Sequence, residues 1–305
     1  MSTEVPERGH LATEHSNPAT RGLDALPVEE ALERIQAEDL RVHEAVAAAR
    51  TDIARAVELV TERLRAGGRL FYVGAGTSGR LGVLDAVELP PTFQSDPELV
   101  QGLLAGGEGA MFRAVEGAED SAEDAAKELR ARGLSAGDAV LGITAGGTTP
   151  FVHGAIAEAR RVGAGTLFFA CVPTEQVEDE AEVSIRVLTG PEVLRGSTRL
   201  KAGTATKLVL NQLSTLVMSR LGKVHDNLMV DVNTGGNIKL LDRGIRLVAE
   251  LCELDREAAR RALEAADGHV KLAVVMQRLG LDAVTAEQRL AACEGSLRRT
   301  LEEAP

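Results

Sequence analysis

The sequence is poor in aromatic residues and in positive charge. Its 305 residues include no Trp, one Tyr and six Phe, so base-stacking surfaces for single-stranded nucleic acid are nearly absent and the core must be rich in Leu, Val and Ala. Asp and Glu number 46 against 34 Lys and Arg, which leaves a net charge of −12. This balance argues against a nucleic acid partner. It permits a small phosphorylated metabolite, because a few backbone N–H groups can hold one phosphate.

Cysteine pairs and long apolar runs are also missing. The three cysteines are scattered and no C-x-x-C occurs, so neither a zinc site nor a redox pair is predicted, and free thiols in a reducing compartment are expected. No apolar run approaches the roughly 20 residues of a membrane span. The first residues lack an apolar signal core. We therefore expect a cytoplasmic protein that does not contact a membrane.

The chain divides into three segments by its pattern. Residues 1–26 are polar and punctuated by Pro and Gly, which predicts an extended arm. From Pro27 to Arg65 the pattern is helical, and short apolar runs then alternate with helical segments. This alternation predicts a doubly wound α/β domain over 27–240, with a parallel sheet covered on both faces. Helical spacing over 241–305 predicts a small C-terminal bundle with breaks at Asp255, Asp267–Gly268 and Gly280.

The predicted strands of the α/β domain are Leu70–Val73, Val100–Leu104, Ala139–Thr144, Thr166–Cys171 and Val183–Leu188. The predicted helices are Gly79–Leu89, ended by Pro90 and Pro91, then Ser121–Arg132, Phe151–Val162 and a helix from Lys201 to about Leu221.

Three loops rich in Gly, Ser and Thr come just before predicted helices, at 74–79, 144–150 and 196–204. Such loops let a ligand approach the backbone, and a helix N-terminus adds free N–H groups and partial positive charge. One loop alone is equally well explained as ordinary helix capping, but three at one sheet edge favour a binding site. The candidate substrate-binding residues are Gly76, Thr77, Ser78, Thr144, Gly147, Thr148, Thr149, Ser197, Thr198 and Lys201.

The first loop also fits the dinucleotide pattern G-x-G-x-x-G through Gly74, Gly76 and Gly79. That fold needs an acidic residue about 20 positions on, at the end of the second strand. Glu98 lies before that strand and Glu108 well after the expected place. The loop is therefore interpreted as a cradle for a smaller ligand.

Two acidic clusters flank the first two loops. Asp85 and Glu88 end the first predicted helix, where acids are disfavoured, while Glu116, Glu119 and Asp120 precede the next helix, where acids are common. Glu88 lies roughly 15 Å beyond Ser78 if the helix rises about 1.5 Å per residue. A phosphate bound at another loop, or a neighbouring subunit, would then be needed to complete a site that contains Glu88.

Four long motifs resemble N-acetylmuramic acid 6-phosphate etherases. They are V-G-A-G-T-S-G-R-L-G-V-L-D-A-x-E-x-P-P-T, A-V-E-G-A-E-D, G-S-T-R-L-K-A-G-T-A-x-K-L-V-L-N-x-L-S-T and K-V-x-x-N-L-M-V-D-V, preceded by T-E-x-x-N-P-x-T at residues 13–20. The resemblance implies a sugar-isomerase (SIS) α/β domain with N-terminal helices and a C-terminal helical domain, usually a homodimer. It implies removal of D-lactate from the sugar phosphate with neither a metal nor a nicotinamide cofactor.

The same resemblance assigns acid–base catalysis to Glu88 and Glu119. We interpret Glu119 as the base that removes the C2 proton and Glu88 as the acid that protonates the departing lactate oxygen, with the exchanged roles left open. His153 and His225 lack metal-ligand spacing and are interpreted as structural or surface residues.

The second loop departs from the family pattern, which usually reads A-S-G-R-T-P, because Gly146 and Thr148 replace a serine and an arginine. This departure leaves the exact substrate open. A non-catalytic sugar-phosphate sensor of the glucokinase-regulator type is the alternative, since E-G-A-E-D-S at 116–121 resembles its motif. A sugar-phosphate isomerase is a third interpretation.

Overall fold

Five short strands form a parallel sheet in the computed structural model, which describes residues 7–302. The strands are β1 (Leu70–Gly74), β2 (Val100–Leu104), β3 (Ala139–Ile143), β4 (Gly165–Ala170) and β5 (Val183–Arg186). They lie in the order β2-β1-β3-β4-β5, and every neighbouring pair is parallel. β1, β3 and β4 are buried along their whole length, as expected for strands covered on both faces. The predicted strands are confirmed to within two residues at each end.

Helices occupy the segments before, between and after the strands. They are α1 (Val28–Ala48), α2 (Arg50–Arg65), α3 (Gly76–Phe93), α4 (Gly109–Phe112), α5 (Ala122–Ala131), α6 (Pro150–Val162) and α7 (Lys201–Arg220). Phe71, Phe151 and Phe168 belong to one buried apolar cluster, and every aromatic side chain except that of Phe112 is buried. The few aromatic residues therefore serve the core, in agreement with the expectation that they form no stacking surface.

Helix α3 begins three residues earlier than the sequence predicts. The early start is possible because Gly76 adopts a φ of 52° and because Gly79 packs against the strand end. A Cβ atom at Gly79 would lie 2.4 Å from the backbone oxygen of Gly74, so only glycine fits there. As a consequence, Thr77 and Ser78 lie in the first helical turn and not at the tip of a preceding loop.

The same helix also ends later than predicted, because it continues through Pro90 and Pro91 to Phe93. A proline inside a helix lacks the N–H group and its ring crowds the carbonyl four residues earlier, which is why the pair predicts a helix end. Its fixed φ is nevertheless helical, and the helix continues for two residues beyond Pro91. The prediction that they end it at Leu89 was wrong.

The predicted N-terminal arm lies in part outside the described residues, since residues 1–6 are not among them. From residue 7 onward it is packed: Leu11 joins the apolar cluster of the sheet, and the Thr20 hydroxyl donates to the Val193 carbonyl at 2.8 Å. The predicted helical stretch that follows is present as α1 and α2, with a break at Ala49.

Packing divides the chain into two compact units. One comprises the chain up to Ala86 together with Leu99–Leu213, and the other comprises Val87–Glu98 together with the chain from Ser214 onward. The second unit contains α8 (Ile238–Cys252), α9 (Arg256–Ala265), α10 (Val270–Leu279), α11 (Ala283–Ala292) and α12 (Leu297–Glu302), around an apolar core of its own. The C-terminal bundle is confirmed, while the boundary at residue 240 stays a prediction.

Residues 7–302 contain neither a disulfide nor a helix that could span a membrane. None of the three cysteines forms a disulfide there. Burial raises the pKa of the Cys171 thiol to about 12, which keeps it protonated and unreactive. No helix of this part of the chain is both long enough and apolar enough to cross a bilayer.

Candidate active site

The carboxyl ends of the parallel strands lie at one edge of the sheet, where the strand order reverses between β1 and β3. β2 lies on one side of β1, and the later strands extend from its other side. Ligands of open parallel sheets bind in the crevice at such a switch point. The loops at 74–79 and 144–150 leave β1 and β3 at this crevice, so the topology places two of the three predicted loops together.

The third predicted loop reaches the same crevice through the start of α7. A Cβ atom at Gly203, in the first turn of α7, would lie 3.4 Å from Cγ2 of Thr77. The first turns of α3 and α7 are therefore neighbours, and Ser197 and Thr198 come just before α7 in the chain.

Hydroxyl groups without protein partners are concentrated in these loops. Six of the predicted Ser and Thr residues are half-buried: Thr77, Ser78, Thr148, Thr149, Ser197 and Thr198. Only the Thr149 hydroxyl has a hydrogen-bond partner within residues 7–302, the hydroxyl of buried Thr144 at 2.8 Å. Partly shielded hydroxyls that the protein leaves unsatisfied are suited to a ligand rich in oxygen atoms.

The second loop is held in shape by Gly147 and by His153 of α6. Gly147 has a φ of 80°, which favours glycine, and its carbonyl lies 2.6 Å from Nε2 of His153. The His153 ring also lies 5.5 Å from that of Phe168. His153 thus has the structural role that the sequence indicated, and it fixes the loop that carries Thr148 and Thr149.

The N-terminal segment contributes to this edge, which sequence reasoning missed. A Cβ atom at Gly146 would lie 3.7 Å from Oγ1 of Thr13, and one at Gly196 would lie 3.0 Å from Oε2 of Glu14. The segment therefore lies beside both the second and the third loop. The Thr13 hydroxyl is fully buried and has no hydrogen-bond partner in the described chain. The only signal in the sequence was the T-E-x-x-N-P-x-T motif itself.

A cavity of about 170 Å³ opens beside the first turn of α3. It is lined by Ala75, Gly76, Arg80, Ala105, Ala110, Ala114, Val115, Glu116, Gly117, Ala118 and Glu119. The predicted residues Gly76 and Glu119 therefore face the same space. Glu119 is exposed on a short 3-10 turn, Ala118–Asp120, that follows Gly117 with a φ of 71°.

Arg80 is a second residue that sequence reasoning missed, although it lies within the first quoted motif. It donates from Nε and Nη2 to the carbonyl of Ala110, at 3.0 and 2.8 Å, and from Nε to the carbonyl of Met111 at 3.1 Å. Its other terminal nitrogen, Nη1, has no partner within residues 7–302. The cavity lining thus contains a fixed cation whose Nη1 group has no protein partner within residues 7–302.

Glu88 is exposed on the part of α3 that belongs to the second unit. Asp85, one turn earlier, is buried, accepts a hydrogen bond from the Tyr72 hydroxyl at 3.1 Å and lies 3.8 Å from Nζ of Lys207. The catalytic role of Glu88 stays a prediction.

Lys201 is not presented to a ligand in this structure. Its ammonium is buried and donates to Oε2 of Glu38 at 2.7 Å, and Glu38 is equally buried. Glu192 caps the start of α7 by accepting the backbone N–H groups of Lys201 and Ala202 at 2.9 and 3.0 Å. The lysine therefore anchors the first turn of α7 behind the third loop.

Burial and hydrogen bonding act in opposite directions on the two acids of this network. Burial raises the pKa of Glu38, but the hydrogen bonds from Lys201 and Asn17 outweigh it and hold that pKa below its ordinary value. Burial dominates at Glu192, whose pKa is raised despite two backbone N–H donors. The Lys201–Glu38 pair is thus a charged pair inside the protein.

Relatives of known name match this chain over nearly its whole length. A protein of Nostoc sp. named N-acetylmuramic acid 6-phosphate etherase is 56% identical over 298 residues, covering 98% of this chain and 97% of the relative. A protein of the same name from Gloeobacter violaceus is 55% identical over 303 residues, covering 99% of each. The chain belongs to the N-acetylmuramic acid 6-phosphate etherase family. The resemblance read from the motifs is confirmed.

Two further similarities concern the fold of the α/β part of this etherase-family chain. Residues 52–160 match the family described as the glucokinase regulatory protein N-terminal SIS domain. A phosphoheptose isomerase from Francisella tularensis superposes with a TM-score of 0.51 at 18% identity, over 64% of this chain and 100% of the isomerase. At that identity the likeness shows the fold alone, and the predicted SIS fold is confirmed. Membership of the etherase family favours the enzyme over the regulatory alternative.

Proposed function

We propose that this chain cleaves the lactyl ether of N-acetylmuramic acid 6-phosphate to N-acetylglucosamine 6-phosphate and D-lactate, as a lyase in the recycling of cell-wall amino sugars. The observation that carries the proposal is the crevice where β1 and β3 end. The loops that leave these strands carry hydroxyls without protein partners within residues 7–302, and a cavity beside the first turn of α3, lined by residues that follow β1 and β2, has Gly76 and Glu119 in its lining. The names of relatives more than half identical to this chain support the same substrate.

The phosphate and sugar hydroxyls are assigned to the three loops. Gly76, Thr77 and Ser78 offer the N–H and hydroxyl groups of the N-terminal turn of α3 to the sugar. The other contacts come from Thr144, Gly147, Thr148 and Thr149 of the second loop and from Ser197 and Thr198 of the third. Lys201, predicted to touch the substrate, supports this surface from behind in our proposal, because its ammonium is buried against Glu38.

The chemistry begins once the sugar ring opens to the C1 aldehyde, which acidifies the proton on C2. Glu119 removes that proton, a double bond forms between C2 and C3, and the bond from C3 to the lactyl oxygen breaks. Glu88 protonates the departing oxygen, so D-lactate leaves as an alcohol. Water then adds its oxygen to C3 while C2 regains a proton. Each positioned acid or base contributes about 10²–10⁴ in rate.

The assignment of base and acid follows from position. Glu119 lines the cavity with Gly76, next to the positive end of α3, where the negative charge that develops on the ring-opened sugar is stabilised. Glu88 takes the remaining role. The variants described below also test the exchanged assignment, in which Glu88 is the base and Glu119 the acid.

Incubation with N-acetylmuramic acid 6-phosphate and an assay for D-lactate test the reaction directly. Reaction in isotopically labelled water should place solvent oxygen on C3 of the sugar, and deuterium oxide should place deuterium on C2. Glu119→Gln should abolish exchange at C2, whereas Glu88→Gln should retain exchange and lose lactate release. Retention of the original ether oxygen on the sugar would contradict the elimination mechanism. Aldose–ketose exchange without lactate would indicate a sugar-phosphate isomerase instead.

We also propose that the protein acts as a homodimer in the cytoplasm, as the family resemblance implies. Helix α1 leaves Val28, Leu32 and Leu40 exposed, which supplies apolar surface for a second copy. Light scattering of the purified protein should give twice the chain mass of 32.2 kDa, and the mass of one chain would contradict the proposal.

A further inference from the structure

We infer that Arg80 binds the lactyl carboxylate of the substrate and so selects sugars that carry this acid. The inference rests on the proposed function, and it adds a recognition residue that neither the fold nor the loops required. Arg80 is half-buried in the cavity that also holds Glu119. It is the only basic residue among those that line this cavity.

The guanidinium is fixed before any ligand arrives. The carbonyls of Ala110 and Met111 hold Nε and Nη2 through three hydrogen bonds of 2.8–3.1 Å. Since these bonds set the plane of the group, Nη1 points in one direction with no freedom to lose. Its lack of a partner within residues 7–302 leaves it available for a charge-assisted hydrogen bond, the strong class that guanidinium forms with carboxylate.

The guanidinium of Arg80 itself favours an anion at this point. The lining also contains Glu116 and Glu119, and Arg80 and the N-terminal turn of α3 supply its positive charge. A neutral sugar group would leave the guanidinium donor partly desolvated without a charged partner, which is unfavourable.

The lactyl carboxylate fits the position better than the phosphate does. Glu119 acts on C2, so a group held in the same small cavity must be attached near C2. The lactyl group is attached to the neighbouring atom C3, whereas the phosphate is attached to C6 at the far end of the sugar. The cavity of about 170 Å³ has room for such a substituent. The phosphate is left to the second and third loops, at 144–150 and 196–204.

The pairing makes elimination selective for the lactyl ether. Binding the carboxylate fixes the ether oxygen relative to the C2 proton, which is the orientation that the elimination needs. Product lactate keeps the same carboxylate, so D-lactate alone should compete weakly for Arg80.

The test combines a change in the protein with a matched change in the ligand. Wild type and Arg80→Gln are assayed with N-acetylmuramic acid 6-phosphate and with its lactyl methyl ester, which lacks the negative charge. For the acid, KM should rise about 10- to 100-fold in Arg80→Gln, as expected for loss of a hydrogen bond between charged groups. For wild type, the KM for the ester should exceed the KM for the acid by a similar factor. In Arg80→Gln the KM values for the acid and for the ester should differ by less than about threefold, because the interacting pair is already broken.

Binding of N-acetylglucosamine 6-phosphate separates recognition from a purely structural role. This product has the phosphate but no lactyl group, so its affinity should be the same in wild type and Arg80→Gln. An equal loss of affinity for this product would assign Arg80 to the phosphate or to the shape of the 109–112 segment, and would overturn the inference. Arg113→Gln, an exposed neighbour that does not line the cavity, is the control and should match wild type.

Two results keep the inference testable whatever the variant does. If Arg80→Gln does not fold, the ester still reports on wild type, and an unchanged KM for the ester would refute a carboxylate contact. If wild type releases no lactate from either ligand, the proposed function fails. Calorimetric binding of the acid and the ester to wild type then still decides whether a lactyl carboxylate is recognised.

Discussion

Replacing Glu38 by Leu asks whether Lys201 is part of the framework or part of the binding surface. The Lys201 ammonium and the Glu38 carboxylate are 2.7 Å apart, and both side chains are at most 2% exposed. Leu fills much of the volume of Glu but offers no negative charge. Glu38→Leu therefore leaves a buried cation without its partner.

The expected cost differs between the two partners. An uncompensated buried charge costs about 3–5 kcal/mol of the free energy of unfolding, and this is the value expected for Glu38→Leu. Lys201→Met should cost less, about 1.5–3 kcal/mol, because Glu38 keeps a hydrogen bond from Asn17 at 2.8 Å and an ion pair with Arg41 at 3.0 Å. The double variant, Glu38→Leu with Lys201→Met, removes both charges of the pair and leaves neither unpaired. It should therefore be more stable than Glu38→Leu alone.

The sole tyrosine provides the assay. The chain has no Trp, and Tyr72 lies in β1, in the same compact unit as Glu38 and Lys201. Tyrosine fluorescence during urea titration therefore reports unfolding of that unit without a signal from the C-terminal helices. Arg41→Gln is the control: its side chain is 65% exposed, and its ion pair should be worth less than about 1 kcal/mol.

Additive effects of the two single changes would refute the reasoning, since groups that depend on each other must show a coupling energy. So would a Lys201→Met protein with wild-type stability and a large loss of affinity for N-acetylglucosamine 6-phosphate. That second result would return Lys201 to the substrate-binding role that its position at the start of α7 first suggested.

Three further changes test the fold and the edge of the site, with tyrosine fluorescence as the measurement. Asp138→Asn should lower stability at pH 7 by about 1–3 kcal/mol. Burial raises the pKa of Asp138, but hydrogen bonds hold it below its ordinary value in the folded state, so this stabilisation exists above about pH 4 and is lost as the pH falls through the lowered pKa. Gly154→Ala should cost about 1–3 kcal/mol, although alanine normally favours a helix, because the new Cβ atom would lie 2.1 Å from the backbone oxygen of Ala122. Gly146→Ser should be about 1 kcal/mol more stable than Gly146→Ala, since its hydroxyl can bond that of Thr13.

Each of these changes has a matched control. Asp24→Asn alters an exposed carboxylate and should leave the pH dependence unchanged; equal acid sensitivity of wild type and Asp138→Asn would contradict the first expectation. Gly109→Ala adds a Cβ atom to open space, so a Gly154→Ala protein as stable as Gly109→Ala would show that α5 and α6 are not in close contact. Equal stability of Gly146→Ser and Gly146→Ala would mean that the Thr13 hydroxyl does not bond the new serine, and would contradict the third expectation.

The strands and most helix ends were predictable because local signals specify them. β3 and β4 are continuous apolar runs, which only a doubly covered sheet can bury. Ser121 caps α5 through its hydroxyl, and Gly163 ends α6 with a φ of 78°. These interactions lie within a few residues of each other, so the order of the letters was sufficient.

The start of α3 could not be predicted in this way. Whether a helix begins at Gly76 or at Gly79 depends on how closely the backbone at Gly79 packs against the strand end at Gly74. That distance between atoms is not contained in the pattern of residues. The prolines did not mark the helix end either, since α3 continues through Pro90 and Pro91 to Phe93.

Periodicity, turn residues and long motifs are local properties, and they were sufficient to predict the parallel α/β fold, the C-terminal bundle, the family and the loops that carry the hydroxyls. Three features emerged from the folded chain instead: Lys201 is bound to Glu38, 163 positions away, the N-terminal segment lies beside two of the loops, and Arg80 shares a cavity with Glu119. Charge pairing and burial depend on contacts between residues distant in the chain, and the strand order fixes those contacts.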